Sequence, residues 1–79
     1  MSTRILLVED DEIMASFITR GLRESGYVVD HTSSGREGLF LATSRDLDII
    51  ILDRMLPELD GLAVLQALRA AGVLTPVIL

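Results

Sequence analysis

The sequence has no cysteine, no tryptophan and no lysine among its 79 residues, and only one histidine and two prolines. Without cysteine there is neither a disulfide framework nor a thiolate metal site. All seven cations are arginines, set against twelve acids for a formal charge of −5. A surface of that sign argues against sequence-independent DNA binding by this segment, which needs a basic footprint. No apolar run approaches the ~20 residues that cross a bilayer. Met1 to Arg4, then four apolar residues and four acids, lacks the form of a secretion signal, so the expectation is a cytoplasmic protein with no membrane partner. What the chain has in plenty is apolar residues, 49% of the total. That excludes a disordered segment. The length allows one small domain, able to bury only roughly 60–65% of its unfolded surface.

Ile5-Leu6-Leu7-Val8 stops abruptly at Glu9-Asp10-Asp11-Glu12. A short run that is apolar on both parities suits a strand buried on both faces. Asp11 or Glu12 then opens a helix, because carboxylates favour the first turn. Met14, Phe17, Ile18 and Leu22 recur at helical spacing as its core face, and Gly26 is placed for a left-handed cap. Tyr27–Thr32 reads as a second, more exposed strand. Ser34 with Glu37 three residues on has the capping-box form and starts a helix through about Arg45. Asp48–Asp53 is the strongest strand, with three consecutive isoleucines between acids. After the Arg54–Asp60 loop, a third helix runs from Gly61 to Ala71 with Leu62, Leu65 and Leu68 on one face, closed by Gly72. Thr75–Leu79 begins a fourth strand. The order β-α-β-α-β-α-β predicts an α/β fold, a doubly wound parallel sheet joined by right-handed crossovers.

In such a sheet, ligands bind beyond the carboxyl ends of the strands where strand order reverses. The first strand ends there in Glu9 and Asp10, the third in Asp53. If these strands are neighbours about 4.8 Å apart, three carboxylates share one small pocket. Two such charges roughly 5 Å apart repel by about 3 kcal/mol at an effective dielectric of 20. The cluster therefore calls for a cation, and an all-oxygen donor set points to magnesium. Beside that ion a carboxylate can act as a nucleophile toward phosphorus. Asp53 is the expected nucleophile, Asp10 a direct metal ligand, and Glu9 a ligand through water.

The segments Ile5–Glu12, Ile50–Gly61 and Thr75–Leu79 together resemble the receiver domain of two-component response regulators, in order and with matching intervals over the whole chain. The resemblance implies the flavodoxin-like fold with strand order 2-1-3-4 here, incomplete relative to a five-stranded domain. It implies that Asp53 accepts a phosphoryl group from a sensor histidine kinase. It implies that the Met55 backbone carbonyl joins Asp10 and Asp53 around magnesium. Pro57 and Gly61 support the loop. The loop from Met55 to Gly61 is similar to that of regulators with a C-terminal winged-helix DNA-binding domain, so DNA is expected as a partner only through a domain outside this chain. The family's switch Ser/Thr and its Lys are absent from residues 1–79, as are a fourth helix, fifth strand and fifth helix. The chain is accordingly expected to be the N-terminal portion of a receiver, weakly stable, or a homodimer or strand-exchanged oligomer.

Two other functions compete. A magnesium-dependent phosphatase of the haloacid dehalogenase type needs a second Asp two positions after the first, where this chain has Met55. A non-switching pseudo-receiver used only for association leaves the acidic trio without a purpose. A receiver phosphorylates itself and turns over no external substrate, so no enzyme in that sense is expected. Asp11, Glu12 and Asp60 read as helix caps, Arg54 as a solvated loop charge, and His31 as a solitary residue on an exposed strand. By the resemblance, the exposed part of the first helix faces the kinase.

Overall fold

The computed structural model describes residues 2–79. Its elements are β1 (Arg4–Val8), α1 (Glu12–Glu24), β2 (Val28–Thr32), α2 (Gly35–Ser44), β3 (Ile49–Leu52), α3 (Gly61–Ala70) and β4 (Val77–Ile78). The strands form one sheet in the order β2-β1-β3-β4, and every pairing is parallel. The element order and the strand order are those expected from the sequence.

β1 is central because both of its faces are apolar. Ile5 and Leu7 point into a cluster with Ala15 of α1 and Val29 of β2. Leu6 and Val8 point the other way, into a larger cluster with Ala42 of α2, Val64 and Leu68 of α3, and Ile50 and Leu52 of β3. α1 thus covers one side of the sheet while α2 and α3 cover the other. Four fully buried apolar residues in a row are what a strand covered on both sides requires.

The helix ends follow local chemistry. Asp11 Oδ1 accepts from the N–H groups of Ile13 and Met14, both at 3.0 Å, and the chain leaves α1 through Gly26, at φ of +92°. At α2, Ser34 Oγ accepts from the Glu37 N–H at 3.2 Å. The reciprocal half of the expected capping box is replaced, because the Ser34 N–H donates to Thr32 Oγ1. Arg23 reaches from α1 to the Val29 carbonyl at 2.8 Å, covering the outer edge of β2.

Two helix faces differ from the sequence expectation. On α1 the stripe against the sheet is Ala15, Ile18 and Leu22, whereas Met14 and Phe17 are exposed. Small Ala15 lets the helix approach the sheet, which turns Phe17 roughly to the opposite side. On α3 the buried residues are Gly61, Val64 and Leu68, and Leu62 is exposed. Docking of Gly61 onto the end of β3 sets the rotation of that helix, so positions three and seven residues on turn inward.

Candidate functional site

β1 and β3 run side by side with Val8 opposite Leu52, so the residues after each strand emerge at one edge. The Asp53 N–H donates to the Val8 carbonyl at 2.9 Å, and the Glu9 N–H donates to the Thr32 carbonyl at 3.0 Å. Ladder bonds from both sides therefore fix the backbone beneath the acids. One carboxylate oxygen from each of Glu9, Asp10 and Asp53 lies within 4.8 Å of the others. Glu9 and Asp53 are half-buried and Asp10 is exposed. The structure thus brings together all three acids singled out in the sequence. Asp11 belongs to the α1 cap, although its N–H also donates to Glu9 Oε2 at 3.2 Å.

The environments of the three acids separate their proton affinities. Burial pushes the Glu9 carboxyl above its ordinary value, with the adjacent Asp53 and Asp10 charges adding to the rise and the Asp11 N–H opposing it. The Met55 N–H, donated to Asp53 Oδ1 at 3.0 Å, holds the Asp53 carboxyl below its ordinary value. Glu9 therefore takes up a proton before Asp53, which stays ionised to lower pH. Carboxylates this close attract a divalent cation, and with oxygen donors only they suit magnesium better than zinc or copper. The donor set fits that ion.

The loop after β3 is shaped by packing as much as by its polar groups. The Leu56 side chain is buried in the cluster beneath β1 and β3, whereas those of Met55 and Pro57 are exposed. Gly61 donates its N–H to the Arg54 carbonyl at 3.1 Å, and a Cβ there would collide with the Asp53 carbonyl oxygen. Any side chain at Gly61 would push the loop away from Asp53. The Asp60 side chain caps α3 by accepting from the Ala63 N–H at 2.9 Å. The Arg36–Glu58 pair, 3.8 Å apart and exposed on both sides, contributes little.

Sequence reasoning passed over two residues. Leu56 anchors the loop, and its only signal was an apolar side chain between exposed ones. His31, expected on an exposed strand without a role, is half-buried with Nε2 at 2.9 Å from the Glu9 carbonyl oxygen. No local pattern announces that contact, because it depends on the register of β2 against β1.

Comparison with known proteins gives a consistent result. The family model of the response regulator receiver domain matches residues 5–79. The transcriptional regulatory protein HprR of Escherichia coli is 52% identical over 75 residues, which is 95% of this chain and 33% of HprR. The chain thus spans about a third of the length of the curated relatives it matches. The receiver domain of the Francisella response regulator 1452 superposes with a TM-score of 0.93 at 36% identity, covering 96% of this chain and 63% of that one. Response regulator TrrA of Thermotoga maritima, solved with magnesium and BeF, superposes with a TM-score of 0.91 at 32% identity, over 98% of this chain and 67% of that one. On sequence and on fold alike, this chain belongs to the response regulator receiver domain family.

Proposed function

We propose that Asp53 is the phosphoacceptor of a two-component system, taking a phosphoryl group from the phosphohistidine of a sensor histidine kinase. The observation that carries this reading is the convergence of Glu9, Asp10 and Asp53 at one sheet edge, with Asp53 kept ionised by the Met55 N–H. An Asp53 oxygen attacks phosphorus in line as the P–N bond to the kinase histidine breaks; the bonding pair stays on that nitrogen, and the imidazole, already protonated on its other nitrogen, leaves as the neutral ring. Asp10, Asp53 and the Met55 carbonyl would hold magnesium directly and Glu9 through water, while Gly61 and Pro57 keep the loop close. Bound magnesium would offset the charge on the phosphoryl oxygens as they approach the acids. The TrrA complex with magnesium and BeF supports that chemistry for a relative of the same fold.

The protein modifies itself and turns over no external substrate. A dehalogenase-type phosphatase finds no second acid here, because the side chain two positions after Asp53 is the exposed thioether of Met55. The exposed Ile13, Met14 and Phe17 on α1 offer an apolar surface for the kinase. HprR is a transcriptional regulatory protein, which supports a cytoplasmic regulator that contacts DNA through a winged-helix domain outside this chain.

Acetyl phosphate with magnesium is expected to add one phosphoryl group to the protein by intact mass and none to Asp53→Asn. Equal labelling of the two forms overturns the assignment.

A further inference from the structure

We propose that His31 is a positioning residue for the acidic site, acting through the peptide that joins Glu9 to Asp10. The Glu9 carbonyl belongs to that peptide, and the His31 Nε2 lies 2.9 Å from its oxygen. A peptide unit is planar, so holding its carbonyl fixes ψ of Glu9 and φ of Asp10 together. One hydrogen bond thereby sets how the backbone passes from Glu9 to Asp10, two of the three acids. Among the described residues no backbone N–H reaches that carbonyl. The Glu9 N–H bond to the Thr32 carbonyl is the last in the β1–β2 ladder, and α1 begins only at Glu12. His31 spans that gap from its place opposite Leu7, two residues before Glu9.

A carbonyl oxygen only accepts, so Nε2 must carry the proton and the neutral ring must be the Nε2–H tautomer. The inference rests on the reading that Glu9 and Asp10 serve a magnesium site, and its test separates the two.

Magnesium affinity of the full chain is measured by calorimetry at a pH above the ordinary histidine range, for the wild type, His31→Phe and His31→Gln. Phe keeps a ring but loses the donor; Gln restores an N–H at similar reach. The expected result is about tenfold weaker magnesium binding for His31→Phe, in line with outer-shell partners elsewhere. His31→Gln is expected to lie within about threefold of the wild type, with metal-free melting alike in all three. Equal affinity in wild type and His31→Phe overturns the role of His31 and leaves the reading of the acids standing. Absence of magnesium binding by the wild type overturns both. If His31→Phe does not fold, nitrogen-15 spectra of the wild-type ring decide, since the Nδ1–H tautomer is incompatible with the proposal.

Discussion

Glu9 and Asp53 sit side by side yet respond to pH in opposite ways. The pKa of Glu9 is raised on folding, so its ionised form weakens the fold above the ordinary carboxylate range, and the penalty vanishes as pH falls through the raised value. Asp53 is lowered, so it adds stability above its ordinary range and loses it as pH falls through the lowered value. Metal-free Glu9→Gln is therefore expected to melt higher than the wild type at neutral pH, by about 4–8 °C for each kcal/mol of desolvation and repulsion relieved. Thermal scans should show that gap closing in mild acid. With magnesium at 100 times its dissociation constant the order should reverse, because binding to the native form adds about 2.7 kcal/mol only where the site is intact. Gly61→Ala should cost about 1–3 kcal/mol in denaturant titration, since its Cβ meets the Asp53 carbonyl oxygen and lies 2.8 Å from the Arg54 Cα. The three acids were legible in the sequence because each follows an apolar run that could only be a buried strand. His31 was not, because its partner is 22 residues away and set by register.

Among the elements, the proposed function assigns chemistry to the loop after β3 and recognition to helix α1. Leu56 ties the loop to the core, and Leu56→Ala should cost about 2–5 kcal/mol as a large-to-small core change. It should also slow labelling by acetyl phosphate, because the Met55 N–H that holds Asp53 is the adjoining backbone group. On α1, Ile13 is 85% and Phe17 77% exposed, so neither contributes much to the core. Phe17→Glu should leave the melting temperature and acetyl phosphate labelling unchanged while reducing transfer from the phosphorylated kinase. Loss of both reactions together would show a folding defect rather than a docking surface. The sequence pattern placed Phe17 and Met14 inward because α1 has more apolar residues than one stripe can hold. Periodicity alone cannot say which of two overlapping stripes meets the sheet. Ala15, too small to stand out in the pattern, decided it by allowing close approach.

At the scale of the molecule, the two outer strands of the sheet are unequally protected. β2 has Arg23 on its outer carbonyl, and Asp30 is paired with Arg45 at 2.9 Å and Arg4 at 3.5 Å. β4 is two residues long, with Ile78 55% and Leu79 53% exposed. On the same side of the sheet Ile49 and Ile51 are only half-buried beside α1. The sequence by itself determined the alternation of strands and helices, the parallel sheet and the identity of the three acids. Those follow from apolar runs, caps and charges within a few residues of one another. Only the tertiary structure decided which helix faces are buried, that Leu56 pins the loop, and that His31 reaches the Glu9 carbonyl. Such contacts depend on helix rotation and strand register, which arise when separate elements pack and leave no trace in any single stretch of chain.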